Sequence, residues 1–308
     1  VEKDPKDKNV PSIDKRKYLR PEIVASINNI SLRARLVVEG YLTGLHKSPY
    51  HGFSVEFAEH RAYGPGDELK HLDWKLYGKT DRYYIKQYEE ETNLRSYILL
   101  DISKSMTYAS HKISKLDYGS YLASALTYLM LSQRDAVSLT LFDEKTRGYV
   151  PPHSTQSHLN LILNKLDNLQ SGNDTKIAPT LHELAEKIKK RGLVILISDL
   201  LDEPNEVLAG LKHFRHKKHE VIVFHLIDPK EKDLDFSIRT RFYDIETGED
   251  ITTEPWQIRK AYKRVLENFQ SNYTREMRKR NIDYIPIETN KPLDIVLNHY
   301  LEKRRVIS

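Results

Sequence analysis

The sequence contains no cysteine among its 308 residues. Disulfides, thiolate zinc sites, iron–sulfur clusters and a cysteine nucleophile are therefore excluded. This composition fits a reducing compartment, and we expect a cytoplasmic protein. Long apolar runs are also lacking: the longest span four or five residues, such as 193–197, whereas a membrane-spanning helix needs about 20. We therefore expect no membrane span in this chain, although a partner could be membrane-associated, and no secretory signal.

Strong charge asymmetry is absent as well. Lysine and arginine number 49 and aspartate and glutamate 44, which leaves a net charge of +5. Dedicated nucleic-acid binders concentrate their basic charge more strongly, so we expect no nucleic-acid partner. The basic runs 187–191, 215–219 and 275–280 are expected to lie on solvated helix faces, with binding to an acidic partner or to nucleic acid as the alternative.

The chain divides into three parts by composition. Residues 1–20 carry eleven charged side chains and read as a charged flexible tail. Residues 21–95 predict a helix followed by a small β module, since short strand-like runs there are punctuated by glycine. Residues 96–308 predict an α/β domain with an inserted hairpin near 236–253.

Strands and helices alternate in the third part, which is typical of α/β proteins. The strands are apolar, which favours a doubly wound, mostly parallel sheet with helices on both faces. The predicted strands are 97–100, 136–142, 146–150, 193–198, 221–227 and 283–287. The predicted helices are 116–131, 156–169, 180–190, 203–215, 256–279 and 292–304.

The sharpest local motif is Asp101-Ile102-Ser103-Lys104-Ser105, at the end of the first strand of this sheet. Ligands of open α/β sheets bind outside the carboxyl ends of the strands. One carboxylate and two hydroxyls on such a turn can converge on a hard cation such as Mg²⁺, which prefers oxygen ligands. The segments 172–175 and 198–199 could complete the site.

The order DxSxS, then Thr, then Asp resembles the metal-ion-dependent adhesion site of von Willebrand factor A-like domains. The segments 56–67, 72–75 and 84–91, together with 198–201 and 292–304, resemble the MoxR-associated von Willebrand A-like family, catalogued as DUF58. The resemblance covers nearly the whole chain after about residue 21. It implies a von Willebrand A-like fold, which is Rossmann-like.

The resemblance also implies a ligand set and a partner. The metal ligands would be Asp101, Ser103, Ser105, Thr175 and Asp199, with Asp174 as an alternative to Thr175, around Mg²⁺, Mn²⁺ or Ca²⁺. The partner would be a MoxR-type AAA+ ATPase, and client proteins would offer an acidic ligand residue to the ion. We expect the family signature residues to form a structural module, with Arg61 paired to Asp67 or Asp73 and Trp74 in a core. These residues are Glu56, Arg61, Tyr63, Gly66, Asp67, Asp73, Trp74 and Glu91.

We therefore expect a non-enzymatic, metal-dependent protein-interaction module with a chaperone-like role. A metal-dependent hydrolase of phosphate esters or nucleic acid is the second hypothesis, and His111 is the nearest histidine that could serve as its base. The third is a nucleic-acid binder that uses basic helices.

Two other motifs suggest sites that we do not expect. Gly78-Lys79-Thr80 lacks the first glycine of a phosphate-binding loop. His213, His216 and His219 are expected on a solvated helix end rather than in a metal site.

Overall fold

The computed structural model describes residues 21–27, 29–45, 60–62, 78, 84–86, 94–172, 176–244 and 248–307. The strands are β1 His60–Ala62, β2 Tyr84–Lys86, β3 Arg95–Asp101, β4 Ala136–Phe142, β5 Thr146–His153, β6 Leu193–Ser198, β7 Glu220–Ile227, β8 Thr240–Tyr243, β9 Asp250–Thr253 and β10 Ile282–Glu288. The helices are α1 Pro21–Ala25, α2 Ile30–Leu45, α3 Lys115–Ser132, α4 Gln156–Asp167, α5 Ala178–Lys187, α6 Pro204–His216, α7 Pro229–Asp233, α8 Pro255–Arg278 and α9 Asp294–Ile307.

Six strands form the central sheet in the order β10-β7-β6-β3-β4-β5. All neighbours run parallel except β5, which runs antiparallel to β4 at one edge. The strand order reverses next to β3, where a doubly wound sheet places its ligand crevice. The predicted fold class, a doubly wound and mostly parallel α/β sheet, is confirmed.

Side chains alternate between the two faces of the sheet because the strand period is two residues. Ile98 and Leu100 enter one hydrophobic cluster, and Tyr97 and Leu99 enter the other. The first cluster contains residues of α2, α3, α4 and α9, and the second contains residues of α5, α6 and α8. Helices therefore cover both faces, as the apolar strands predict.

Helix α3 lies close to the sheet because its small residues leave room. A side chain at Gly119 would place its Cβ 3.0 Å from Leu100 Cδ1. The helix begins at a capping box, in which Ser114 Oγ accepts from the Asp117 N–H and the Asp117 carboxylate accepts from the Ser114 N–H. This cap fixes the first turn of α3 at the carboxyl edge of the sheet.

The N-terminal helices pack into the first cluster of the sheet. Val24 of α1 and Val37 and Val38 of α2 are buried there. Strands β1 and β2 pair antiparallel. The predicted division at residue 95 stays a prediction, and the predicted tail 1–20 lies outside the described residues.

The predicted hairpin near 236–253 corresponds to β8 and β9, which pair antiparallel. Gly248 adopts φ of +76°, which a side chain disfavours, so glycine suits the turn. No helix within the described ranges is long and apolar enough to cross a membrane.

Candidate metal centre

The motif 101–105 lies where the central strands end. Strand β3 ends at Asp101, and a 3₁₀ turn covers Lys104–Thr107. Strand β6 pairs with β3 and ends at Ser198, so Ser198 and Asp199 lie beside the motif. The structure thus brings together four of the predicted ligands: Asp101, Ser103, Ser105 and Asp199.

Asp101 is fully buried, and both of its carboxylate oxygens accept hydrogen bonds. Oδ1 accepts from the Ser103 N–H at 2.9 Å, and Oδ2 accepts from the Ser198 hydroxyl at 2.6 Å. Ser198 Oγ in turn accepts from the Leu200 N–H at 3.0 Å. These bonds hold the carboxylate in one orientation at the edge of the sheet. The sequence prediction had not assigned Ser198 a role of its own.

The two serine hydroxyls of the motif lie side by side. Ser103 Oγ and Ser105 Oγ are 3.1 Å apart, and both residues are buried. A hydroxyl oxygen keeps lone pairs when it donates its proton to a neighbour. The pair can therefore offer two neutral oxygen ligands next to the Asp101 carboxylate.

Asp199 has a cationic partner that sequence reasoning missed. Lys115, the first residue of α3, places its Nζ 2.8 Å from Asp199 Oδ2 and 2.7 Å from Glu231 Oε1. Lys115 and Asp199 are almost completely buried. Glu231 Oε2 also accepts from the Asp228 N–H, the capping-box bond at the start of α7, so the contact of Oε1 with Lys115 holds this helix end against the site. Lys115 thus already neutralises one oxygen of a predicted metal ligand.

The pKa values show where charge is left without compensation. Burial, and then the negative charge of Asp199, raise the pKa of Asp101 to about 7. Burial opposes the charged form of Lys115, but Asp199 and Glu231 outweigh it and the pKa of Lys115 is raised. Burial likewise raises the pKa of Glu231. Asp199 and Glu231 share the ammonium of Lys115, whereas Asp101 has no cation beside it among the described residues, an imbalance that a further cation would relieve.

The donor set fits a small hard cation. Asp101, Ser103 and Ser105 supply one carboxylate and two hydroxyl oxygens, and within the described part of the chain Asp101 has no lysine, arginine or histidine partner. Asp199 Oδ2 is occupied by Lys115, whereas Oδ1 accepts only a long bond from the Leu201 N–H, at 3.4 Å, and keeps a lone pair for an ion or its water. Thr175 and Asp174 lie outside the described residues. The described residues contain no group of three or more His, Asp or Glu that could hold a metal, so the set depends on its hydroxyls.

The nearest histidines are poorly placed for acid–base chemistry. His225 is buried, its Nδ1 lies 2.6 Å from the Tyr284 hydroxyl, and burial lowers its pKa to about 4. His111 Nδ1 lies 3.5 Å from Asp228 Oδ2. Asp228 accepts from the Ser110 N–H at 2.8 Å. Asp228 therefore anchors the backbone of the 108–111 segment and keeps the His111 ring next to its own carboxylate.

One expectation about the histidines was wrong. His219 is 1% exposed, not solvated, because it lies past the end of α6 between the rings of Tyr97 and Phe214. His213 is partly buried, and its Nε2 lies 2.7 Å from Glu186 Oε1. His216 is exposed as expected.

The family signature segment is mostly beyond the described ranges. Arg61 lies in β1, opposite Ile85. The other signature residues lie outside the described residues: Glu56, Tyr63, Gly66, Asp67, Asp73, Trp74 and Glu91. Gly78 is described, whereas Lys79 and Thr80 are not. The ion-paired role expected for this segment stays a prediction.

A family model described as "Protein of unknown function DUF58" matches residues 59–272. The uncharacterized protein Rv1480 of Mycobacterium tuberculosis and the uncharacterized protein Mb1516 of Mycobacterium bovis are each 21% identical over 290 residues, which cover 92% of this chain and 90% of the relative.

Two solved structures are also similar. The conserved hypothetical protein BatB of Bacteroides thetaiotaomicron has a TM-score of 0.46 at 16% identity, over 68% of this chain and 98% of that chain. An aerotolerance-related membrane protein of Bacteroides fragilis has a TM-score of 0.45 at 19% identity, over 68% and 99%. The fold assignment rests on the strand order of the sheet and not on these likenesses.

Proposed function

The chain belongs to the DUF58 family of unknown function, and from this premise we propose that it is a non-enzymatic, metal-dependent protein-interaction module. The sheet presents a divalent cation, Mg²⁺ in the first place, at the carboxyl edge of β3. A partner protein completes the coordination of the ion with an acidic side chain. The fold suits such a module because this edge is where a doubly wound sheet binds its ligands.

The observation that carries the proposal is the arrangement of Asp101, Ser103 and Ser105. The carboxylate is buried and hydrogen-bonded, and the two hydroxyls lie next to each other. Three protein oxygens leave part of an octahedral shell open. Because two of the three are neutral, a bound divalent ion keeps positive charge, which favours an incoming carboxylate.

The partner in this proposal is a MoxR-type AAA+ ATPase, and the pair acts in assembly or maturation of other proteins. This part rests on the resemblance of segments 56–67, 72–75 and 84–91 to the MoxR-associated family. A cytoplasmic location belongs to the same proposal and rests on the cysteine-free composition.

The two alternatives lack a specific observation in their favour. A hydrolase needs a general base near the ion, and the buried His225 has its pKa lowered by burial and its Nδ1 next to a tyrosine hydroxyl. A nucleic-acid binder needs available cations. Several cations of the basic runs are instead paired within the protein: Lys187 with Glu183, Lys217 with Glu186, Arg215 with Glu220, and Arg275, Lys279 and Arg280 with Glu276.

Titration calorimetry with Mg²⁺ and Mn²⁺ tests the metal proposal. Wild type is compared with Asp101→Asn and Ser105→Ala, which each remove a proposed ligand, and with Thr107→Ala as the matched control. Thr107 is an exposed hydroxyl of the same turn that donates to the Lys104 carbonyl at 2.7 Å. One-site binding that both ligand variants lose and the control keeps supports the proposal. Equal binding in all four proteins contradicts it.

A pull-down tests the partner. Wild type and Ser105→Ala are offered to a purified MoxR-type ATPase with Mg²⁺ or with EDTA. Association that needs both Ser105 and the divalent ion supports the complete proposal. Association that survives EDTA and Ser105→Ala keeps the partner but contradicts the role of the metal.

A further inference from the structure

A pocket of about 410 Å³ lies next to the candidate metal centre. Ser105 of the metal motif lines it, and so does Leu201, two residues after Asp199. Helix α7 contributes Lys230 to the lining, strand β8 contributes Phe242, and Phe236 comes from the segment between them. Its volume is within the range of pockets that receive a ligand, about 300–1,000 Å³.

The walls of the pocket are rich in aromatic and aliphatic side chains that remain accessible. Phe236 and Phe242 meet edge to face, with ring centroids 5.4 Å apart. Tyr243 is 61% exposed and Leu201 is 51% exposed. Large apolar side chains exposed together around a concavity indicate a binding surface rather than a random surface composition.

Two lysines give this surface a charge preference. Lys230 Nζ lies 4.8 Å from the ring centre of Phe236, and Lys104 precedes Ser105 on the exposed side of the 3₁₀ turn. Among the described residues, neither lysine has a carboxylate within 4.0 Å, and Glu231 of the lining is bonded to Lys115. Asp244 contributes one negative charge to the lining. Lys104 of the metal motif and Lys230 of α7 remain complementary to an acidic ligand.

The apolar surface also extends beyond the pocket. Ile238 is 72% exposed and Ile251 is 65% exposed, and both belong to the hairpin region. A small molecule would leave these side chains in water, whereas a protein segment could cover them. A protein partner is therefore the occupant that suits the whole surface.

We propose that this pocket binds an aromatic or large aliphatic side chain of an acidic segment in the partner protein. The inference rests on the proposed function, because the same partner segment supplies the carboxylate to the ion beside Ser105. Phe236, Phe242 and Tyr243 then decide which apolar side chain is accepted. Lys104 and Lys230 favour acidic residues on either side of it.

Fluorescence polarisation with short labelled peptides tests the inference. The probe carries one phenylalanine between acidic residues, and its controls carry alanine in place of phenylalanine or lysine in place of the acidic residues. Wild type is compared with Tyr243→Ser and Leu201→Ser. The matched controls are Tyr149→Ser and Leu161→Ser, which change similarly exposed residues on β5 and α4, away from this pocket.

We expect the probe to bind wild type and to lose about tenfold in affinity when its phenylalanine becomes alanine. Tyr243→Ser and Leu201→Ser should each weaken binding several-fold, and the two control variants should not. Lys230→Gln should weaken it at low salt and much less at high salt, with the exposed Lys260→Gln as its control. No binding of the probe, or binding that ignores its phenylalanine and both pocket variants, overturns the inference.

Repeating the measurement with EDTA and with Ser105→Ala separates the two proposals. Binding that depends on phenylalanine and survives both treatments supports the pocket and contradicts the metal-dependent function. Binding that needs Mg²⁺ and an acidic residue but ignores phenylalanine supports the metal function and overturns the pocket.

Discussion

The ammonium of Lys115 lies 2.8 Å from the carboxylate of Asp199, and this buried contact joins the start of α3 to the end of β6. The same ammonium lies 2.7 Å from Glu231 and so also holds α7. Three segments that surround the candidate metal centre therefore meet at one cation. Lys115 supplies positive charge to Asp199 that the proposed ion would otherwise have to supply.

Replacing Lys115 by methionine is expected to destabilise the protein strongly. The methionine keeps much of the side-chain volume but leaves the buried Asp199 and the partly buried Glu231 without their cation. Breaking a buried ion pair by removing one partner costs about 3–5 kcal/mol. Urea unfolding of Lys115→Met in EDTA measures this loss of unfolding free energy.

Lys112→Met is the matched control because Lys112 is exposed and lies in the loop just before α3. A surface substitution of this kind should change the unfolding free energy by at most about 0.5 kcal/mol. A loss below about 1 kcal/mol in Lys115→Met would show that the contact with Asp199 is not an important source of stability.

Mg²⁺ should stabilise Lys115→Met against thermal unfolding more than it stabilises wild type. Without Lys115, Oδ2 of Asp199 also becomes available to the ion and the local negative charge increases. A ligand that binds only the folded state raises the melting temperature with its concentration and affinity. The increase in melting temperature on adding MgCl₂ should therefore be larger in Lys115→Met than in wild type or Lys112→Met. An equal increase would show that Lys115 does not compete with the ion for Asp199.

The fold could be predicted from the sequence because the central strands are mostly apolar and alternate with helices, and 193–197 of β6 is a continuous apolar run. Strands β4 and β6 have the predicted bounds, 136–142 and 193–198. The predicted positions of the helix ends were less accurate, since a helix ends where local contacts stop it. The helix predicted over 180–190 ends at Lys187, where Ile188 turns to an extended conformation with ψ of 96°.

The candidate site could be predicted only where its residues are close in sequence. Asp101, Ser103 and Ser105 form one motif and meet in the structure. Lys115 was missed because a lysine in the first turn of a helix normally lies in solvent. Its partners come from strand β6 and helix α7, more than 80 positions away, and only the tertiary fold shows that it is buried. The capping box at Ser114 was the available signal, since it places Lys115 at the carboxyl edge of the sheet.

Magnesium affinity should increase with pH. Folding raises the pKa of Asp101 from 3.8 to about 7, chiefly through burial. A raised pKa in the folded state means that the stability this group contributes is complete below about pH 4 and is lost as the pH rises through about 7. Mg²⁺ must displace the proton that Asp101 holds in this range. Calorimetry in the presence of Mg²⁺ should therefore show tighter binding at pH 8 than at pH 6, and a flat profile would contradict this assignment.

The metal-free stability profile provides the control for Asp101. Asp101→Asn cannot ionise at this position, so its unfolding free energy in EDTA should decline less than that of wild type between about pH 4 and pH 7. The Oδ1 of asparagine can still accept from the Ser103 N–H, whereas its Nδ2 stands where Asp101 Oδ2 accepts from the Ser198 hydroxyl, so that bond must reverse or be lost. Parallel profiles of the two proteins would show that Asp101 titrates as it does in the unfolded chain.

His225 should change the pH dependence of the unfolding free energy in the direction opposite to that of Asp101. Burial lowers its pKa from 6.5 to about 4, so the folded state keeps it neutral. The stability tied to this neutral form is present above about pH 6.5 and is lost as the pH falls through about 4. His225→Gln, in the Asp101→Asn background, should reduce the loss of unfolding free energy on acidification. The exposed His216→Gln should leave it unchanged, and an equal effect of the two substitutions would contradict this role of burial.

A glycine should be required at position 172, because the backbone there passes close to the metal motif. Its N–H donates to the Ile102 carbonyl at 2.6 Å, and a Cβ at this position would lie 2.2 Å from Asp143 Oδ2. Asp143 is fully buried and paired with Arg147, so it has little freedom to move.

Gly172→Ala is therefore expected to lower the unfolding free energy by about 1–3 kcal/mol, the usual cost of overpacking, and to weaken Mg²⁺ binding through Ile102 and its neighbours. Gly148→Ala is the control, because its Cβ would lie 3.4 Å from the nearest atom, a flexible methyl of Leu141. Urea unfolding and calorimetry of both variants compare the two positions. If Gly148→Ala costs as much stability as Gly172→Ala, the close approach of Gly172 to Asp143 is not the cause.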